Sequence, residues 1–337
     1  MKIAVILFNL GGPDSLDAVE PYLRNLFSDP AIIALPSFLR LPLARFIAKR
    51  RAPITRAIYE KIGGRSPIVP QTEAQARALE AALAAQGHEA RAFIAMRAWK
   101  PFAAEAARDA KAWAPERVVL LPLYPQFSST TTASSLEDWG RAAAKAGLDA
   151  PQSRVCCYPW VDGFVAAMAG AIASVEKRPG VDYRLLLSAH GLPKRVIAKG
   201  DPYRWQVEKT AAAIVDRLGV TDSTVCYQSR VGPLEWIGPA TDAEIERAGR
   251  DGKGVILAPI AFVSEHSETL VELDMDYAEL ARTHGVPDYA RVATAGTDAR
   301  FIAALATLVL EAAQGGVVSC GAGRICPNDR TLCGWDA

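Results

Sequence analysis

The chain has 337 residues, with 38 Lys and Arg against 37 Asp and Glu for a net charge of +1. Half of the residues are hydrophobic, 22% are charged and 8% are aromatic, a globular composition and a length that suits about two domains. Charge balance argues against a nucleic-acid binder, which carries a basic excess or stripe. The opening run MKIAVILFNLGGPDS has too short an apolar stretch for a signal peptide, and nothing approaches the roughly 18 apolar residues of a membrane span. Six cysteines are too sparse and uneven for a secreted disulfide framework. The expectation is a soluble, cytoplasmic protein.

Short apolar runs alternate with Ala-rich stretches of helical spacing. Strands are predicted at 3–10, 90–95, 118–123, 154–158, 185–189, 224–228 and 255–262, and helices at 71–86, 101–114, 163–175, 202–218 and 298–313. That alternation predicts an α/β fold with parallel sheets, and continuously apolar strands fit sheets covered on both faces. A boundary near 150–159 gives two open α/β domains with a cleft between them.

In such sheets ligands bind beyond the carboxyl ends of the strands. His190 stands there, before a Gly-Leu-Pro turn, as a proton acceptor or metal ligand, or as a histidine that only hydrogen-bonds its turn. After the last predicted strand comes SEHSETLVELDMD, whose Glu265, Glu268, Glu272 and Asp276 recur at helical spacing and line one face, with His266 embedded. Such a stripe is a solvated acidic face, or a path for a divalent metal and for protons. A Rossmann-type dehydrogenase is disfavoured, because G-x-G-x-x-G does not follow the first strand.

The hydroxyl-rich run 128–135 reads as a loop with a helix N-cap or as a phosphate cradle. Residues 31–51, apolar and ending in Lys49-Arg50-Arg51, form an inter-helix excursion, or a lip for a flat acidic ligand or an anionic membrane surface. Cys320, Cys326 and Cys333, spaced C-x5-C-x6-C, suit an iron–sulfur cluster or zinc with a fourth ligand from Cys156, Cys157 or Cys226, or else are free thiols.

Together NLGGP, YEKIGGRSP, LYPQFSSTTTASS, SAHGLPKRVIAKGDPY, YQSRVGPLEWIGP and PIAFVSEHSETLVELD give a sequence that resembles the ferrochelatases, and the likeness spans nearly the whole chain. The resemblance implies two Rossmann-like, class II chelatase-like domains, each a parallel sheet flanked by helices, with a porphyrin cleft between them. The implied division is 1–155 with 299–316, then 156–298, then a tail at 317–337. The implied reaction is insertion of Fe(II) into protoporphyrin IX, the last step of haem biosynthesis. A non-catalytic porphyrin carrier, or a chelatase for coproporphyrin III or another metal, stays open as an alternative.

By the same resemblance His190 and Glu268 are catalytic, and the metal and proton path runs over His190, Glu268, His266, Glu272 and Asp276, with Asp274 on the same motif. Leu10, Arg51, Tyr59, Ser66, Arg97, Tyr124, Arg230 and Trp236 match positions that line or clamp the macrocycle. Ala98 stands where the family often has Tyr. The tail looks like one that carries a [2Fe–2S] cluster on Cys320, Cys326 and Cys333, with Cys157 or Cys156 as fourth ligand. Peripheral membrane contact through 31–51, on the inner face of the plasma membrane, and a monomeric or homodimeric state complete the expectations.

Overall fold

The computed structural model describes residues 1–230 and 234–335 and divides into two compact units. One holds Met1–Cys157, Leu305–Ile325 and the chain from Gly334; the other holds Tyr158–Ala304 and Cys326–Cys333. Val231, Gly232 and Pro233 of the YQSRVGP motif, and the last two residues of the tail, lie outside the described residues.

The first unit runs through β1 (Lys2–Asn9), α1 (Val19–Phe27), α2 (Ser37–Glu60), α3 (Ile68–Ala84), β2 (Glu89–Met96), α4 (Ala103–Trp113), β3 (Arg117–Pro122), α5 (Thr132–Ala146) and β4 (Gln152–Cys157). In the second follow α6 (Asp162–Ala173), β5 (Tyr183–His190), α7 (Lys194–Ala198), α8 (Tyr203–Leu218), β6 (Ser223–Gln228), α9 (Thr241–Arg250), β7 (Gly254–Pro259), a π-helix over Glu268–Asp276, α10 (Tyr277–Thr283) and β8 (Tyr289–Arg291). Helix α11 (Ala299–Ala313) then leads to β9 (Val317–Ser319).

Both sheets are parallel throughout, in the orders β2-β1-β3-β4-β9 and β6-β5-β7-β8. Every residue from Ile3 to Phe8 is buried, so β1 is covered on both faces, as its unbroken apolar run requires. Ala103, Ala106, Ala107 and Ala110 of α4 pack on Ala4, Ile6 and Phe8, small side chains that let the helix lie close to the sheet. Trp139 sets its ring edge-on to Phe8 at 6.0 Å and donates its indole N–H to Gln152 at 2.8 Å, so the largest core residue is also satisfied. In the second unit Leu186, Val255 and Leu257 pack against Ile245, Ala248, Leu273 and Ala281.

The seven predicted strands are β1 to β7, and the predicted helices are α3, α4, α6, α8 and α11. Residues 31–51 differ from the excursion expected of them. Most belong to α2, which continues through Pro42 and Pro53. Its Ala44, Ala48 and Ala52 are buried four residues apart, Ala48 and Ala52 in one cluster with α1, while Phe38, Leu39, Leu41, Phe46 and Ile54 are exposed. Among the described residues no helix is long and apolar enough to cross a membrane.

The tail is tied down at separate points. Strand β9 pairs with β4 so that Ser319 lies opposite Cys157, with an irregularity at Cys156, and Cys320 follows directly. In the second unit Leu332 N–H donates to the Gly200 carbonyl at 3.1 Å. Gly200 has φ +95°, and a Cβ there would stand 2.9 Å from the Thr331 backbone nitrogen, so the docking excludes a side chain.

Candidate active site

In the second unit β5 delivers His190 to the sheet's carboxyl edge. Its Nδ1 lies 2.6 Å from the Gly191 carbonyl oxygen. A carbonyl only accepts, so Nδ1 carries the hydrogen and the lone pair of neutral His190 is on Nε2. That nitrogen stands 3.8 Å from Glu268 Oε2, with both side chains partly open to solvent. Gly191 N–H donates to the Gln228 carbonyl at 2.9 Å, extending the β5–β6 ladder one residue. A Cβ at 191 would lie 2.9 Å from that oxygen and 3.2 Å from the Trp236 ring, so the turn after His190 needs glycine for close approach. Tyr203 donates its hydroxyl to the His190 carbonyl at 3.1 Å, and the Trp236 ring lies 6.5 Å from the imidazole.

The acidic stretch departs from the single α-helical face expected of it. Residues Glu268–Asp276 form a π-helix, and Glu265 precedes it. Arg291 gathers two of the carboxylates: it donates to Glu265 at 2.7 Å and, through two nitrogens, to Asp274 at 2.7 and 2.6 Å. Burial opposes ionisation of Glu265, yet hydrogen bonds including the Thr294 N–H, and the Arg291 charge, hold it below the usual carboxylate range.

Glu268 and Glu272 instead meet at the end of β6. Glu272 accepts from the Ser229 N–H at 3.0 Å, the Ser229 hydroxyl at 2.5 Å, the Tyr277 hydroxyl at 3.1 Å and the Gln228 amide at 3.4 Å. Glu268 lies 3.3 Å from the same Ser229 hydroxyl. Burial, and then the Glu268 charge, raise the Glu272 carboxyl above its ordinary range. His266 is buried, its ring edge against Phe262 and its Nδ1 on the Ser264 carbonyl, and Asp276 is exposed at the π-helix end. Among the described residues no three His, Cys, Asp or Glu side chains gather around a single metal position. Arg230 turns its guanidinium to Asp242 at 3.0 Å.

The remaining candidates lie in the first unit. Leu10, Arg97 and Tyr124 line a small recess with Asn25, Asp29, Ala98 and Thr130. Arg97 is paired with buried Asp29 at 2.9 Å and donates to Ser134 at 2.7 Å, and Ser134 donates to Asp29 at 2.5 Å. The hydroxyl run 128–135 therefore spends Ser134 on this ion pair, and α5 begins with no side-chain cap. Tyr59 and Ala98 are buried in one cluster with Leu10 at its edge. Ser66 is buried and its hydroxyl accepts from the Ile68 N–H at 3.3 Å, while Arg51 stacks over Phe27 at 5.9 Å.

Sequence reasoning passed over Ser229, Gln228, Arg291 and Asp29. A polar residue just past a strand end, the signal used for His190, also marks Ser229. Replacing Glu268 by Gln removes the charge that disfavours ionisation of its neighbour, so the Glu272 carboxyl should titrate at a lower pH than in the parent, while staying above an exposed glutamate. Carbon-13 NMR titration of the labelled carboxyl checks the direction, and an unmoved titration refutes the coupling.

The ferrochelatase family model matches residues 2–313. The ferrochelatase of Phenylobacterium zucineum is 56% identical over 318 residues, covering 93% of this chain and 92% of that protein. That of Caulobacter vibrioides is 53% identical over 339 residues, covering 98% and 97%. Among solved structures, the sirohydrochlorin chelatase SirB of Bacillus subtilis in complex with cobalt superposes with a TM-score of 0.57 at 11% identity, covering 93% of this chain and 96% of that one, a likeness of fold. With relatives this similar along nearly its whole length, and the SAHGLP histidine facing the SEHSETLVELD glutamate, the chain belongs to the ferrochelatase family.

Proposed function

We propose that this chain inserts Fe(II) into protoporphyrin IX in haem biosynthesis, with His190 Nε2 as the first acceptor of the two pyrrole protons and Glu268 as the next. One observation carries the assignment of roles: the Gly191 carbonyl fixes the hydrogen on Nδ1 and leaves Nε2 basic and turned to a carboxylate. A planar porphyrin holds two N–H hydrogens where the metal must enter, so a site that bends the ring and takes those protons lowers the barrier. Trp236, its ring 6.5 Å from the imidazole, supplies apolar surface for the bend. Arg51 supplies a cation for a propionate. Glu272 and Asp276 continue the outward path from Glu268.

Anaerobic Fe(II) and protoporphyrin should give the haem spectrum with the parent chain. His190→Ala should bind porphyrin and lose metallation by about 100-fold or more. Turnover at the parental rate in that variant overturns the role.

The resemblance of the tail supports a [2Fe–2S] cluster on Cys320, Cys326 and Cys333 with Cys156 or Cys157, while among the described residues no three of these thiols gather around one metal position. Cys326 and Cys333 are buried in a stretch without helix or strand, and the buried Gln206 amide donates to Cys326 Sγ at 3.1 Å, the N–H···S bond such a ligand sulfur accepts. When bound, the cluster supplies order to the tail rather than insertion chemistry, which moves no electron. Purified protein should show the cluster's visible absorption and Cys326→Ser should bleach it; a colourless parent with full iron-handling activity speaks against the cluster.

The outer face of α2 supports a peripheral membrane contact on the cytoplasmic side. Exposed Phe38, Leu39, Phe46 and Ile54 share that helix with exposed Arg45, Lys49 and Arg50, an apolar surface with cations for anionic headgroups. The chain should co-sediment with anionic vesicles, and Phe38→Glu with Phe46→Glu should release it; equal sedimentation of the two proteins refutes the contact.

A further inference from the structure

We propose that Ser229 is the positioning residue of the acid pair, its side-chain hydroxyl drawing Glu268 and Glu272 to one point so that they serve His190 together. The inference rests on the assignment of Glu268 and Glu272 to the metallation path.

Ser229 directly follows β6 and has φ +61°, the left-handed region that side chains other than Gly and Asn rarely adopt. In that conformation its N–H and its hydroxyl both point to the π-helix: the N–H reaches one Glu272 oxygen at 3.0 Å and the hydroxyl the other at 2.5 Å. The same hydroxyl stands 3.3 Å from Glu268 Oε2. Its single hydrogen can turn to either carboxylate, so the two acids share one donor. The donors that reach Glu272, from Gln228, Ser229 and Tyr277, are neutral, whereas Glu265 and Asp274 are taken by Arg291. Two carboxylates that repel one another thus stay together because a neutral donor lies at their meeting point. Gln228 holds the base of the arrangement: its side-chain Oε1 accepts from the Ser188 hydroxyl at 2.9 Å, which aims its Nε2 at Glu272. Ser229 touches neither the imidazole nor, in this arrangement, any reacting atom; it acts through the glutamates.

Backbone and hydroxyl are separable by substitution. Ser229→Gly frees the strained φ and keeps the N–H, and Ser229→Ala keeps the strain and the N–H; both delete the hydroxyl. With anaerobic Fe(II) and protoporphyrin, kcat should fall about 10- to 100-fold in both variants, by the cost of a misplaced catalytic group. Porphyrin KM should stay at its parental value in both variants and the thermal midpoint in Ser229→Ala, and the infrared carboxylate band of isotope-labelled Glu272 should shift. Parental kcat in Ser229→Gly overturns the inference, because the backbone alone then suffices. A fall in kcat matched in Ser229→Ala by changes in porphyrin KM and thermal midpoint also overturns it, as the mark of a merely structural role. In both of those outcomes the parent still metallates, so the proposed function stands. A parent that binds porphyrin without metallating it removes the function and this inference together.

Discussion

The hydrogen bond from His190 Nδ1 to the Gly191 carbonyl decides which nitrogen is left for chemistry, and the surrounding backbone is built to hold that carbonyl still. Gly191 is locked by its own N–H on Gln228, and the His190 carbonyl by the Tyr203 hydroxyl, so the peptides on both sides of the imidazole are fixed. Burial keeps the Tyr203 phenol protonated far above its ordinary range, which preserves it as a donor. A histidine held this way has one tautomer and one exposed lone pair, and needs no carboxylate behind it to set its orientation.

The same ladder orders the acids. Residues pair along β5 and β6 until His190 lies opposite Gln228, so the imidazole and the Ser229 turn leave the sheet at neighbouring points. The four carboxylates at 265, 268, 272 and 274 then divide by the partners they meet. Arg291, on the short β8, neutralises two of them, and hydroxyl and amide donors satisfy Glu268 and Glu272 without cancelling their charge. Burial and the neighbouring Glu268 charge make Glu272 hold a proton more tightly than an exposed glutamate, a property suited to a carboxylate in a proton path.

Much of this was legible in the sequence because β1, β3 and β7 are nearly continuous apolar runs, and a strand covered on both faces has no other pattern to show. Tyr289–Arg291 and Val317–Ser319 are three residues each and only partly buried, too short for periodicity to register. Helix α2 was obscured by Pro42 and Pro53, which each remove one backbone donor yet do not end a helix whose Ala stripe is firmly packed. His190 was readable from its place at a strand end. Ser229 shares that strand-end place, but its role comes from a left-handed backbone and from two glutamates some forty residues on, neither of which leaves a local signature. Arg97 was readable by resemblance, but its pairing with Asp29 joins positions 68 apart in the chain.

The π-helix is where local geometry and site chemistry meet. In an α-helix, residues four apart share a face, offset by about 40° around the axis. Bonds from i to i+5 widen the turn and add about one residue to it, which changes where each carboxylate stands around the axis. That winding is intrinsically unfavourable, so neighbours must fix it. Arg291 grips Asp274 with two nitrogens while also holding Glu265 ahead of the first turn, and Tyr289 donates to the Leu273 carbonyl at 2.6 Å. Both residues come from β8, whose parallel pairing with β7 anchors it to the sheet that carries His190. The short strand that periodicity missed is thus the part that holds the acidic turn in place, and the winding of that turn depends on the second sheet as well as on its own sequence.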